Sequence, residues 1–242
     1  MQLYIVTGAT RGIGFSLAKR IAALPDTETL AVSRSGLPSP LPRCEELRCD
    51  LSLREGQRTA ADAVKRRLAQ RSWQKAVLIN NAGRVEPVAP LERADMDEFL
   101  GAFALNVVAP AALMQAFLRG SHAVPARSIV NISSGVSHRP VQSWAAYCSS
   151  KAALDMVSQV AAAEVQAGGG GVRIASIYPG LVDTAMQGLI RGMTAADFPS
   201  VQEFHDWKAQ GALQDPDAVA GNILALERDG KLPQEPAFLK DL

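Results

Sequence analysis

An excess of charge of either sign is missing from this chain. Its 25 lysines and arginines meet 24 aspartates and glutamates, for a formal net charge of +1, so it offers no broad basic field to nucleic acid or a membrane surface. The basic run Lys65-Arg66-Arg67 stands alone on a helical pattern and reads as a solvated face. Cysteine is scarce: Cys44, Cys49 and Cys148 lack metal-binding or redox spacing and read as free thiols in a reducing compartment, the cytoplasm. His122, His138 and His205 lack ligand spacing and read as surface or loop residues, so no metal site is expected. No uninterrupted apolar run approaches the roughly 20 residues of a membrane span. A strand pattern starts at Leu3, so the expectation is a chain with no signal peptide. What remains is 48% hydrophobic and 20% charged over 242 residues, which suits one large α/β domain.

Short apolar runs alternate with longer helical patterns. The runs are Leu3–Val6, Thr29–Val32, Glu46–Cys49, Ala76–Ile79, Ser128–Ile132 and Arg173–Ile177; the helical patterns are Ile13–Leu24, Arg54–Ala69, Met96–Leu118, Ala146–Val165 and Asp217–Leu226. Strands apolar along nearly their whole length, separated by helices, predict a parallel sheet covered on both faces. Right-handed crossovers then give a single doubly wound Rossmann domain spanning residues 1–242. The glycine run Gly168–Gly171 reads as a helix stop before a strand. Residues 188–215 break the alternation and read as a small helical substrate lid over the carboxyl edge of the sheet.

The first strand runs straight into Thr7-Gly8-Ala9-Thr10-Arg11-Gly12-Ile13-Gly14. In that position Gly8 permits a tight turn, Gly12 lets backbone approach a pyrophosphate, and Gly14 lets the helix pack on the sheet. Free amides at the helix start attract phosphate. The second strand ends near Val32-Ser33-Arg34, with no acid to receive a ribose hydroxyl. Arg34 and Arg11 are instead placed to pair a 2′-phosphate, so NADP(H) is the expected cofactor.

Tyr147 and Lys151 stand one helical turn apart on a common face, and Ser134 follows a strand. A phenol, an ammonium and a hydroxyl are the parts needed to move a proton at a carbonyl oxygen. A free tyrosine has a pKa near 10, and lowering it by about 2–3 units takes roughly 3–4 kcal/mol. A cation about 4 Å away at an effective dielectric near 20 supplies about 4 kcal/mol, so Lys151 alone is expected to suffice. Trp144 and Met186 are candidate substrate walls, with a core role weighed equally; Asp155 reads as a structural cap or pair.

These motifs resemble the short-chain dehydrogenase/reductase family along nearly the whole chain. The resemblance implies adenine contacts from Asp50 and Leu51, and a cofactor-contacting turn at Asn81-Ala82-Gly83 after Asn80. It implies a fourth catalytic residue, Asn106, that positions a water for Lys151. It also implies a nicotinamide loop through Pro179, Gly180, Val182 and Thr184, with Tyr147 and Lys151 touching cofactor too. Family spacing selects Ser134 over Ser133. Within the family, Trp144-x-x-Tyr147-Cys148, Lys151-Ala-x-x-Asp155-Met156 and Asp183-x-x-Met186-Gln187 resemble sepiapterin reductases and bacterial benzil-type diketone reductases.

The activity so implied is NADPH-dependent reduction of a small-molecule ketone or dicarbonyl, with Ser134, Trp144, Tyr147 and Met186 facing substrate. Oxidation of another alcohol, and a regulator that senses NADP(H) without turnover, are the alternatives. The resemblance also offers Asp241 as a candidate counterpart of the acid that holds the pterin in sepiapterin reductases, with its contact to substrate left open. The resemblance further implies a homodimer, with a tetramer as the alternative, through the alanine-rich helices Asn106–Leu118 and Tyr147–Val165.

Overall fold

The computed structural model describes residues 1–242. Seven strands form one sheet: β1 (Gln2–Thr7), β2 (Thr27–Ser33), β3 (Cys44–Arg48), β4 (Lys75–Asn80), β5 (Ala126–Ile132), β6 (Arg173–Tyr178) and β7 (Ala237–Phe238). Their order is β3-β2-β1-β4-β5-β6-β7, and each neighbouring pair is parallel. The order reverses between β1 and β4, the switch point at which ligands bind beyond the carboxyl ends of the strands.

Alternate residues of each central strand point to opposite faces. Tyr4 and Val6 therefore join Ile79, Val130 and Ile177 on one side, under helices α1 (Gly12–Ala22) and α8 (Pro216–Arg228). Leu3 and Ile5 join Leu78 and Ile129 on the other, under α2 (Arg54–Ala69) and α4 (Ala109–Gly120). Both faces are dry, which is why these strands read as continuous apolar runs. Strands β1, β2, β4 and β5 start one or two residues before the runs do, because polar residues such as Gln2, Thr27 and Lys75 still join the backbone ladder. At the half-exposed edge strand β3 the pattern is weakest, and the pairing lies two residues earlier than the apolar run suggests.

The helical pattern from Met96 is α3 (Met96–Phe103), a π turn (Ala104–Val108) and α4, forming one continuous helix to Gly120. By length and composition this helix would be enough to cross a bilayer, which corrects the expectation drawn from uninterrupted runs. Its Ala109, Leu113, Met114 and Phe117 are buried in the core beside α2. Helix α5 (Ala145–Ala167) ends in Gly168, and Gly169–Gly171 all have positive φ, so the glycine run does stop the helix. The irregular segment folds as α6 (Ala185–Arg191) and α7 (Val201–Ala209), beginning three residues before the expected boundary.

Candidate active site

The glycine turn has the geometry its residues predict. Gly8 and Gly12 hold φ of +68° and +54°, where a side chain would be strained. A Cβ on Gly14 would stand 2.2 Å from the Gly8 carbonyl oxygen, so α1 can start this close to β1 only with glycine there. Arg11 caps the helix without a side-chain hydrogen bond, and the first turn holds no acid. The free amides at Thr10–Ile13 are thus open to an anion, and these residues fit a dinucleotide phosphate.

Thr7, just before the turn, ties two loops together. Its Oγ1 accepts from the Asn81 and Ala82 amides at 3.0 Å each, while Asn81 Nδ2 donates to the carbonyls of Thr7 and Gly8. Sequence reading passed over Thr7 as a holding residue; a hydroxyl at a buried strand end was the available signal. Thr184 heads α6, and its methyl would lie 3.2 Å from a Cβ on Gly12, so the Pro179–Thr184 loop faces the glycine turn. Gly180 takes a φ of +85°, and Val182 is buried and bridged to Gln214.

At the ends of β2 and β3, Arg34 and Asp50 come together. Arg34 Nη1 lies 3.9 Å from Asp50 Oδ2, and the Arg34 side chain is 80% exposed. Ser52 donates to Asp50 Oδ1 from its backbone and hydroxyl, and these bonds, aided by Arg34, hold the Asp50 carboxyl below its usual range. Leu51 is buried beside them in the core. Arg11 is exposed, so both arginines are free to turn toward a ligand.

Ser134, Tyr147 and Lys151 converge beyond the end of β5. Ser134 stands near enough to the Tyr147 phenol to oppose the effect of burial on it. Lys151 Nζ donates to the Ile132 carbonyl at 2.8 Å and sits 5.8 Å from the Tyr147 ring centre. A Cβ on Gly83 would come within 3.6 Å of Lys151 Nζ and 3.3 Å of Asn106 Oδ1, so this glycine leaves the pair uncovered. Asn106, on the π turn, is fully buried: Nδ2 donates to Arg84 O and Ser150 Oγ, and Oδ1 accepts from Arg84 N. A π turn frees backbone groups from the helical ladder and is common at functional sites.

The electrostatics differ from the expectation. Burial pushes the Tyr147 phenol up to about 12, against the lowering effect of Ser134. Burial likewise pulls Lys151 down to about 8, with Asp155 opposing. Desolvation penalises the charged form of both groups, so Lys151 does not by itself make Tyr147 a base. In this state the phenol keeps its proton, which suits a donor.

Beside Tyr147 lies a buried aromatic cluster, so Trp144 takes the core role that was one of its two readings. Trp144 meets the Tyr147 ring edge-on at 5.4 Å, stacks on Phe198 at 5.0 Å and meets Phe204 at 5.7 Å. Met186 of α6 packs against the same cluster. The indole Nε1 of Trp144 is buried without a partner. Asp241 is exposed on a short 3₁₀ turn after β7. The described residues contain no cluster of three or more metal-ligating side chains.

Comparison with known proteins matches this geometry to a family. Residues 2–194 match the short chain dehydrogenase family profile. The chain is 33% identical to a benzil reductase ((S)-benzoin forming) from Bacillus subtilis over 231 residues, 95% of each chain. It is 34% identical to a sepiapterin reductase from Meriones unguiculatus, covering 92% of this chain and 89% of that one. Among solved structures, an enzyme named KRED1-Pglu superposes with a TM-score of 0.83 at 25% identity, over 98% of this chain and 100% of that one. With its glycine turn, parallel sheet and Ser134–Tyr147–Lys151 constellation in place, the chain belongs to the short-chain dehydrogenase/reductase family of oxidoreductases.

Proposed function

We propose that this protein is an NADPH-dependent carbonyl reductase whose substrate is a flat aromatic or cyclic dicarbonyl, of the benzil or pterin side-chain type. The observation that carries this reading is the convergence of Ser134, Tyr147 and Lys151 beyond β5, beside the Trp144–Phe198–Phe204 cluster. Trp144 stands edge-on beside the Tyr147 ring, and an aromatic neighbour of this kind favours a planar apolar ligand at the phenol. The relatives named benzil and sepiapterin reductase support the class. NADPH, when bound, supplies the hydride that reaches the carbonyl carbon.

This chain's residues do the rest. Ser134 hydrogen-bonds the carbonyl oxygen, Tyr147 gives it a proton, and Lys151 steadies the phenolate left behind and holds the ribose. Asn106 keeps the Arg84 backbone and Ser150 in place beside Lys151, where it also orders a water. The α6–α7 segment is the substrate lid, with Met186 and Trp144 lining it, and closing it excludes water from the site. The test follows NADPH absorbance with a panel of benzil, other aromatic diketones and sepiapterin. No turnover of any member, despite tight NADPH binding, would sink the reading.

The preference for NADPH is assigned to Arg34 and Arg11. Charge-assisted hydrogen bonds contribute about 1.5–3 kcal/mol, and because both arginines are exposed the lower end applies. Arg34→Ala is expected to reduce the NADPH-over-NADH ratio in kcat/KM by about tenfold, and the double variant with Arg11→Ala by more. An unchanged ratio in the double variant would move the phosphate contact elsewhere. A neighbour at 26% identity, a putative NAD(P)-dependent gluconate 5-dehydrogenase from Beutenbergia cavernae, holds bound NADP and superposes with a TM-score of 0.78 over 98% of this chain and 94% of that one.

The assembly proposed is a homodimer, with a tetramer as the alternative, in the cytoplasm, where the three free cysteines stay reduced. Val108 beside α4, and Met156 and Val160 on α5, are large, apolar and exposed on the helices expected to pair. Sedimentation should find twice the chain mass, and Met156→Asp with Val160→Asp should yield monomer. A wild-type monomer would exclude this interface.

A further inference from the structure

Three parts of the site meet at one buried hydroxyl. Tyr178 closes β6 directly before the Pro179–Thr184 loop and is 1% exposed. Its Oη donates to Asp155 Oδ2 on α5 at 2.8 Å, accepts from Ser137 Oγ at 3.1 Å and pairs with His138 Nε2. Asp155 lies one helical turn beyond Lys151 and is buried, and its Oδ1 has no partner. A desolvated carboxylate holds firmly to the donor it has, so the Tyr178 hydroxyl is fixed to α5.

Ser137 and His138 belong to the 3₁₀ turn Gly135–His138, and Ser134 is the residue that opens it. The Ser137 amide donates to the Ser134 carbonyl at 3.0 Å, and Ser134 Oγ accepts from the Val136 amide at 3.5 Å. Ser137 therefore holds Ser134 with its backbone and Tyr178 with its side chain. A short 3₁₀ turn has poor hydrogen-bond geometry of its own, so the place of Ser134 depends on what the turn is fastened to. Phe238 of β7 adds packing to the polar link. Its ring meets the Tyr178 ring edge-on at 5.1 Å, and a Cβ on Gly135 would stand 2.3 Å from it, so only glycine lets the turn rest on the phenyl edge.

We propose that Tyr178, backed by Phe238, is a positioning residue that fixes the Ser134 hydroxyl against the carbonyl oxygen being reduced. The role rests on the reductase reading. Through Ser137, Tyr178 anchors the turn that follows Ser134. Through Asp155, it registers that turn on α5, the helix that carries Tyr147 and Lys151. The hydroxyl that steadies the carbonyl oxygen and the phenol that protonates it thus share one buried anchor. Placement matters at this level, because a shift of about 1 Å in a reacting group can cost about 10²-fold in rate.

Kinetics and hydrogen exchange test the anchor. Ser137→Ala removes the link to the turn and leaves the Tyr178–Asp155 bond intact, so it should fold normally and lower kcat for carbonyl reduction about threefold. Tyr178→Phe keeps the ring contact with Phe238 but frees the turn from α5, and should lower kcat about tenfold. KM for NADPH should stay unchanged in both. In a Ser134→Ala background neither substitution should lower kcat further, because the group being positioned is gone. Losses that persist in that background, or that fall on KM for NADPH alone, mean that Tyr178 acts elsewhere and overturn the proposal.

In ligand-free protein, NMR follows the Ser137 amide. Its exchange with solvent should be about tenfold faster in Tyr178→Phe. The buried Ser121 amide, bonded to the Phe117 carbonyl at 3.0 Å at the end of α4, should keep its wild-type rate. An unmoved Ser137 amide, or equal acceleration of both amides, overturns the anchor. A wild type that reduces no carbonyl sinks the reductase reading instead, and the Ser137 exchange, which needs no turnover, still decides whether Tyr178 holds the turn.

Discussion

Replacing Tyr147 by phenylalanine is expected to lower kcat/KM for carbonyl reduction by about 10²–10⁴-fold, the range for a lost general acid. Dinucleotide binding and thermal stability should change little. The ring contacts with Trp144 survive in phenylalanine, and Ser134 Oγ still accepts from the Val136 amide. The donor role follows from the electrostatics: with the phenol pushed up to about 12, Tyr147 holds its proton throughout the working pH range. The group that titrates within that range is Lys151, pulled down to about 8. Its ammonium is present below that pH and lost above it, so the wild-type reduction rate should fall as pH rises through about 8, while Tyr147→Phe stays low at every pH. Steady-state NADPH consumption across pH 6–10 checks both points. A variant with near-normal turnover would remove Tyr147 from the chemistry.

The largest loss of stability should come from the opposite end of the sheet. Glu227 on α8 is 1% exposed at its side chain and accepts three bonds: from Tyr4 at 3.1 Å, Lys75 at 2.8 Å and Ser128 at 2.6 Å. One carboxylate thus ties α8 to β1, β4 and β5. Burial together with Glu227 holds the Tyr4 phenol well above its ordinary value, so that hydroxyl remains a donor. Glu227→Ala strands an ammonium and two buried hydroxyls. Removing one partner of a buried ion pair costs about 3–5 kcal/mol, which in a chain of this size lowers Tm by about 10 °C. Glu227→Gln should cost less, because a carbonyl oxygen still accepts. Urea denaturation checks the order; equal stability of Glu227→Ala and wild type would show that the knot contributes nothing net. The exposed pair Arg20–Asp217, at 2.6 Å between α1 and α8, should matter far less, because water screens it.

The features legible in the sequence were those with a short-range cause. Positive φ at Gly8 and Gly12 answers a demand made within a few residues. Strand and helix periods repeat over one element, and Tyr147 with Lys151 is a spacing of four. Where a period was weak, as at the half-exposed β3, the boundary moved; where a helix carried a π turn, the apolar pattern ran on without showing it. The family motifs supplied an order of residues, and the sheet then placed Gly83 beside Asn106 and Lys151, and Thr184 against Gly12.

The tertiary structure alone decided what depends on desolvation and on distant partners. The partners of Glu227 lie 223, 152 and 99 positions away, with no periodicity to betray them. Asp155 and His138 read as a structural acid and a loop histidine until Tyr178 joined them. The sequence placed a cation beside the catalytic phenol, and Coulomb attraction at a surface dielectric argued for a lowered pKa; the folded chain buries both groups, and the loss of water outweighs that attraction. Sequence by itself determined the fold, the glycine turn and the choice of Ser134, Tyr147 and Lys151 as candidates, because local spacing and backbone sterics dictate them. Only the packed structure determined their burial, the aromatic cluster beside them and the partners of Asp155, because these arise from residues far apart in the chain.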